Sequence, residues 1–305
     1  MACMVVGIHA DFLADISPLG EYLTVSGLFR IAVPIFILIN GFYFFRVVNE
    51  GTQINWLKRI SILYVAWMIF FIYFWFFIPE MSLESFLKLF QIVFFGHHHL
   101  WYLPGIIGAA IVLLTTRKMP QVAMIVLVFI VFVIGVYIQY AGNYHLYAGS
   151  NRDILFNEHW FHRNFLFFAY PFFALGYLIN KTSLHKRISL KVSLTLSLFG
   201  LAMLLCESYI NYYQEGRDGG FDNFASLIIA APAIFILFIQ IKITAKSKKI
   251  ALYASAIYFI HLFVLSFFHR FTHFQETSLT LIVIIISVCA SYFIIQLNNR
   301  LKFIL

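Results

Sequence analysis

This 305-residue chain has little charge. Only 11% of its residues are Asp, Glu, Lys or Arg, against about a quarter in a soluble domain. Acid is the scarcer sign, with 13 Asp and Glu against 21 Lys and Arg. So few charges cannot clothe a water-exposed globule. Cysteine is scarce too. Cys3, Cys206 and Cys289 lie far apart inside apolar stretches, which fits no metal spacing and no disulfide framework; they read as packing residues. There is no P-loop, and no GxSxG or GxGxxG at a strand-to-helix junction, so soluble nucleotide and hydrolase chemistry is excluded. Low-complexity tracts, convincing internal repeats and extramembrane domains are lacking as well.

What the chain does have is apolar length. It is 62% hydrophobic, with a mean hydropathy of +0.88. A bilayer-spanning helix needs about 20 apolar residues. Such segments are expected near 1–16, 25–45, 58–78, 99–116, 120–140, 163–180, 190–211, 223–243, 250–268 and 278–298. The fold class read from this is all-α: a single polytopic membrane domain over 1–305, with about ten transmembrane helices. Residues 82–95 are too short to span and read as an amphipathic surface helix. Segment 1–16 is short and has no flanking positive charge. The chain as given is expected to lack the start of its first helix.

Charge sets the orientation. Arg46, Lys58 and Arg59 fall in one connection; Arg117 and Lys118 in the next but one; then Lys181, Lys186, Arg187 and Lys191; then Lys242, Lys246, Lys248 and Lys249; finally Arg300 and Lys302. Glu50 is the acidic residue among them. The alternate connections carry Asp15, Glu21, Glu80, Glu84, Asp153, Glu158, Glu215, Asp218, Asp222 and Glu276. The positive-inside rule puts the basic set, and both termini, in the cytoplasm. The net charge of +8 is then an anchor set for anionic lipid headgroups and not a nucleic-acid footprint.

Polar groups within the apolar segments are costly and mark candidate sites. At 1.5 Å per residue, His9, Arg30 and His261 each lie roughly 10 Å below the outer surface. Glu207, Trp101, Tyr102, Arg163 and Asn164 share that outer half. Each also has a structural reading. His9 and His261 could bridge helices, Arg30 could snorkel, and Trp101 and Tyr102 could be interfacial aromatics. Glu207 reads best as a satisfied interfacial carboxylate. His97, His98 and His99 are adjacent, so they share no helix face, and no HExxH accompanies them; no metal site is expected.

Five stretches together resemble the membrane acyltransferase-3 family, the O-acyltransferases of bacterial surface polysaccharides. They are Met4-Val-Val-Gly-Ile-His9; Phe29-Arg30-Ile-Ala-Val-Pro34-Ile-Phe36 running into Asn40-Gly41; His98-His99-Leu-Trp101-Tyr102-Leu; Arg163-Asn164 with Pro171 to Gly176; and Tyr258-Phe-Ile-His261. Order and spacing fit over nearly the whole chain. There are two departures. The family's Asp and Arg upstream of its first-helix His are not in this chain, and Asn40 stands for the usual Ser.

The resemblance implies acyl transfer, acetyl being the expected group, from cytoplasmic acyl-CoA as co-substrate to a glycan hydroxyl at the far face of a bacterial inner membrane. His9 would be the general base or a transient acyl carrier. Arg30 would stabilise the tetrahedral intermediate. His99, Trp101, Tyr102, Glu158, Arg163, Asn164 and His261 would bind substrate. Partners would be membrane lipid and the glycan acceptor, with no nucleic acid. The competing reading is a secondary transporter or exporter using the same polar layer. Transporters usually show paired, Gly- or Pro-broken helices, whereas Pro34 and Pro232 here are not repeat-related.

Overall fold

The computed structural model describes residues 1–241 and 249–305, and among these every regular element is helical. Three of the cytoplasmic-cluster lysines, Lys242, Lys246 and Lys248, lie outside the described residues. In chain order the helices are α1 (Ala2–His9), α2 (Pro18–Thr24), α3 (Ala32–Asn49), α4 (Gln53–Phe70), the turn α5 (Ile72–Trp75), α6 (Leu83–Phe95), α7 (Tyr102–Thr116) and α8 (Gln121–Asn143). The short α9 (Asn151–Asn157) and α10 (His159–His162) follow. Then come α11 (Tyr170–Lys181), the turn α12 (Leu184–Arg187), α13 (Leu190–Tyr212), α14 (Leu227–Gln240), α15 (Lys249–Phe271) and α16 (Glu276–Leu301).

Helices therefore occupy all ten expected stretches. Among the described residues, six are long and apolar enough to cross a membrane by length and composition, while 165–181 and 227–240 are shorter apolar helices. Two expected helices are cut differently. The first ends at His9 rather than residue 16, because Asp11 and Leu13 take positive φ. The second breaks into α2, a 3-10 turn over Leu28–Ile31, and α3. Pro34 then falls in the first turn of α3, where it interrupts no helical hydrogen bond. The short helix expected over 82–95 forms as α6, capped by Ser82 Oγ on Ser85 N at 3.2 Å, stopped by Gly96 at φ 89°, and with no buried residue.

Packing is that of a membrane bundle. On α8, Met124, Val128, Val131 and Gly135 are buried, while Val122, Val126, Phe129 and Val133 are exposed. Both stripes repeat every three to four residues, so one apolar face meets protein and the other has the chemistry of a lipid contact. α11 sits at the centre against α3, α7, α8 and α14. Its crossing with α3 depends on glycine. A Cβ on Gly41 would lie 1.9 Å from Phe173 O, and one on Gly176 2.1 Å from Leu38 O. This close approach is the small-residue packing that membrane helices use. Asn180 Nδ2 locks the pair by donating to Phe42 O at 2.7 Å.

Long-range contacts tie the connections to one another. Thr277 donates to Asp15, and His145 links Asp153 to Asp218. Arg59 donates to Leu305 O at 3.2 Å, and Gln240 donates to His185 O and Ile188 O.

Candidate functional site

Most of the candidate residues sit on irregular backbone between the helices. His9 is the last residue of α1. Arg30 is on the 3-10 turn before α3, and His99 and Trp101 are on the 3-10 turn His98–Trp101 before α7. Arg163 directly precedes Asn164 and a π-helical turn, Phe165–Ala169, ahead of α11. Such turns aim side chains away from the regular helix surface and recur at functional sites.

Asp222, in the connection from α13 to α14, ties this layer together. Its carboxylate accepts from Arg30 and, at 3.0 Å, from Arg163. Burial alone would raise the Asp222 carboxyl; the guanidinium groups of Arg163 and Arg30 outweigh that and hold it well below the usual carboxylate range. Arg30 is fixed further by donating from Nε to Val25 O at 3.1 Å, and Arg163 lies over the Trp101 ring at 5.1 Å. Two cations share one carboxylate, so this cluster carries surplus positive charge in a low-dielectric setting.

Behind His9 stand two more histidines. The His261 ring is 5.3 Å from that of His9 and 5.1 Å from that of His99. His261 Nδ1 is 2.7 Å from Tyr258 O, and His99 Nε2 is 3.2 Å from Phe259 O. A carbonyl accepts only, so each neutral ring carries its proton there, and its other nitrogen presents a lone pair. Tyr258 donates to His99 O at 2.5 Å and stacks edge-on with Tyr102, whose hydroxyl accepts from Asn40 at 2.6 Å.

A cavity of about 490 Å³ is lined by His9, Arg30, Asn157, His162, Arg163 and Asp222, among others. Beneath it a pocket of about 40 Å³ reaches His9, Arg30, His99, Trp101, Arg163 and Tyr258. The expected residues thus separate by placement. His9, Arg30 and Arg163 face both spaces, and His99 and Trp101 face the lower one. His261 is fully buried against His9, and Tyr102 is buried below Tyr258. Glu158 is at the mouth of a neighbouring 220 Å³ cavity with His98, Trp101 and Arg163. Asn164 caps the π turn. Its Oδ1 accepts from Leu166 N and Phe167 N at 2.9 Å, and its Nδ2 donates to Trp160 O and Phe161 O. These bonds engage both atoms of its amide and hold the π turn in place. Glu207 accepts from Tyr140, Ala225 N and Ser226 N, which satisfies the carboxylate. Among the described residues no group of three or more His, Cys, Asp and Glu is placed to hold a metal.

Asp222 is the residue that sequence reasoning passed over, as one of several loop acids. The signal available was its position just ahead of an apolar helix, in a chain whose apolar segments also hold Arg30 and Arg163.

A family model described as an acyltransferase domain matches residues 1–296, and the chain belongs to the acyltransferase-3 family. Two Enterococcus faecalis proteins named amino-acid racemase are similar to it. One is 24% identical over 99% of this chain and 45% of the relative; the other is 29% identical over 57% of this chain and 26% of the relative. The chain therefore spans less than half the length of these relatives. No solved structure gives a significant match.

Proposed function

We propose that this member of the family is a membrane O-acyltransferase of the bacterial inner membrane, with its basic connections in the cytoplasm. It moves an acyl group, acetyl in the reading favoured here, from cytoplasmic acyl-CoA to a hydroxyl of a surface or periplasmic glycan. The basic clusters suit the donor's phosphates, and the pantetheine arm reaches the polar layer between helices. The observation that carries the reading is that His9, Arg30 and Arg163 converge on one cavity around Asp222.

The chemistry follows from those groups. His9 takes the proton of the acceptor hydroxyl as its oxygen bonds to the thioester carbonyl carbon. The surplus positive charge of the arginine pair, Arg30 foremost, stabilises the oxyanion of the tetrahedral intermediate. The C–S bond then breaks, and His9 returns the proton to the departing thiolate. His261 and His99 are positioning residues, their tautomers set by backbone carbonyls, with the His261 ring between those of His9 and His99. Trp101 and Arg163 orient the acceptor. The racemase name of the relatives belongs to proteins more than half of whose length lies outside the match, and it carries no racemase reading to this chain.

The test is mass spectrometry of surface polysaccharide from cells carrying the wild type, His9→Ala or no gene, at equal protein level in the membrane. Wild type is expected to add one acyl mass per repeat and His9→Ala none. Loss of polymer export with no mass change would instead support a transporter.

A further inference from the structure

A third space meets the site from the side. A groove of about 380 Å³ runs between α4, α6 and α7, walled by Tyr64, Phe94, Ile107, Gly108, Ile111 and Phe165, and it ends at Trp101, Arg163 and Asn164. Its walls are apolar. Tyr64 donates to Val93 O at 2.7 Å and so holds α6 as one lip. Gly108 lets the Phe165 ring lie against α7, because a Cβ there would sit 2.5 Å from that side chain. Ile111 is half-exposed on the outer side of α7. Trp101 and Arg163 also line the pocket that holds His9, so the stacked pair is a wall common to the groove and the reaction pocket.

Resting on the acyl-transfer reading above, we propose that this groove receives the hydrocarbon tail of a lipid-anchored glycan acceptor and so brings its sugar hydroxyl to His9. A side entrance with hydrocarbon walls strips water from any sugar that uses it, and uncompensated polar groups do not tolerate that. A ligand arriving this way must carry an apolar tail. Bulk lipid alone does not account for the inner end. An arginine at membrane depth is expensive and marks a substrate path, and Arg163, sharing Asp222 with Arg30, offers positive charge to an anionic linkage between tail and sugar. Because Trp101 and Arg163 border both spaces, a tail lying in the groove brings its head to the edge of the His9 pocket.

The experiment uses the chain in nanodiscs and a polyprenyl phosphoglucose bearing a diazirine at the far end of its tail. Phosphatidylcholine with the same tail label is the bulk-lipid comparator. Saturable labelling is expected on Tyr64, Phe94, Ile107 and Ile111, well above the comparator. Ile111→Trp is expected to weaken it about tenfold, the equivalent of displacing about two buried methylenes. The wild-type label map decides the matter even if that variant fails to insert. Labelling that does not saturate, or that matches phosphatidylcholine, overturns the proposal. Competition by palmitoyl-CoA also overturns it, since the groove would then hold a donor tail. The readout needs no turnover. Saturable labelling in a protein that never transfers an acyl group removes the function and keeps the groove. Full transfer to a soluble glycan without saturable labelling does the reverse.

Discussion

Neutralising Asp222 is the sharpest perturbation this structure offers. Asp222→Asn keeps size and shape and removes one charge, leaving Arg30 and Arg163 facing each other without their common anion. Side-chain exposures are 11% for Asp222, 16% for Arg30 and 24% for Arg163. Removing one partner of a buried ion pair costs about 3–5 kcal/mol. Partial exposure of the guanidiniums argues for the lower end, about 3 kcal/mol, even though two pairs are lost. At the roughly 2–4 °C per kcal/mol of domains of about 150–250 residues, that lowers the apparent Tm by about 6–12 °C. The measurement is thermal aggregation of the detergent-solubilised protein followed by size-exclusion chromatography, at one scan rate. A double variant, Asp222→Asn with Arg163→Gln, removes one of the two stranded cations. It should lose less than the sum of the two single variants, because the residues share one network. An apparent Tm within 2 °C of wild type, or strict additivity, would refute the reasoning. The pH dependence has a definite sign. The folded-state carboxyl is depressed, so its contribution is present above the ordinary carboxyl pKa of about 4 and fades only as pH falls below that.

Arg30→Lys keeps the charge and loses the fork that reaches Val25 O and Asp222 together. Transfer in membranes at equal protein level should fall on the order of 10²-fold, and wild-type activity would return Arg30 to a membrane anchor. His145 bridges Asp218 at 3.0 Å and Asp153 at 2.8 Å, and these carboxylates raise its pKa. The clamp is therefore complete below about pH 6.5 and is lost as pH rises through the raised value. Hydrogen exchange over 143–153 should accelerate across that window, and His145→Ala should abolish the pH dependence. For topology, a tag after Gly216, whose Cβ position is open, should be accessible from outside intact cells, and a reporter after Leu305 should report cytoplasm. An externally accessible reporter would mean that the count of spans is wrong by one.

His9, Arg30, Trp101 and Arg163 were legible before any coordinates because each is a polar or interfacial residue placed where hydrocarbon punishes it, at a depth that counting residues supplies. Their convergence was not. It depends on chain breaks after His9, before Ala32 and around Phe165, and the first two are tied to distant segments through Leu13 with Thr277 and Arg30 with Asp222. Asp222 shows the limit most clearly. In the sequence it is one more acid in a polar connection. In the fold that connection turns inward, and Asp222 meets Arg30 across 192 positions of chain and Arg163 across 59. Tyr102 and Asn164 show a related case: both are site-like by position, and the fold adds hydrogen bonds to Asn40 and within the π turn that spacing does not show.

By itself the sequence determined that this is an all-helical membrane chain, where its apolar segments lie, how its charges alternate and which family it belongs to. All of these follow from local composition and from spacing along the chain, since hydrophobicity and motif order are properties of short segments. Tertiary structure alone decided which buried cations share an anion, which histidines back the one at the cavity, and that a side groove ends at the same arginine. Those are long-range pairings, and their energies depend on distance and burial, which the order of residues does not contain.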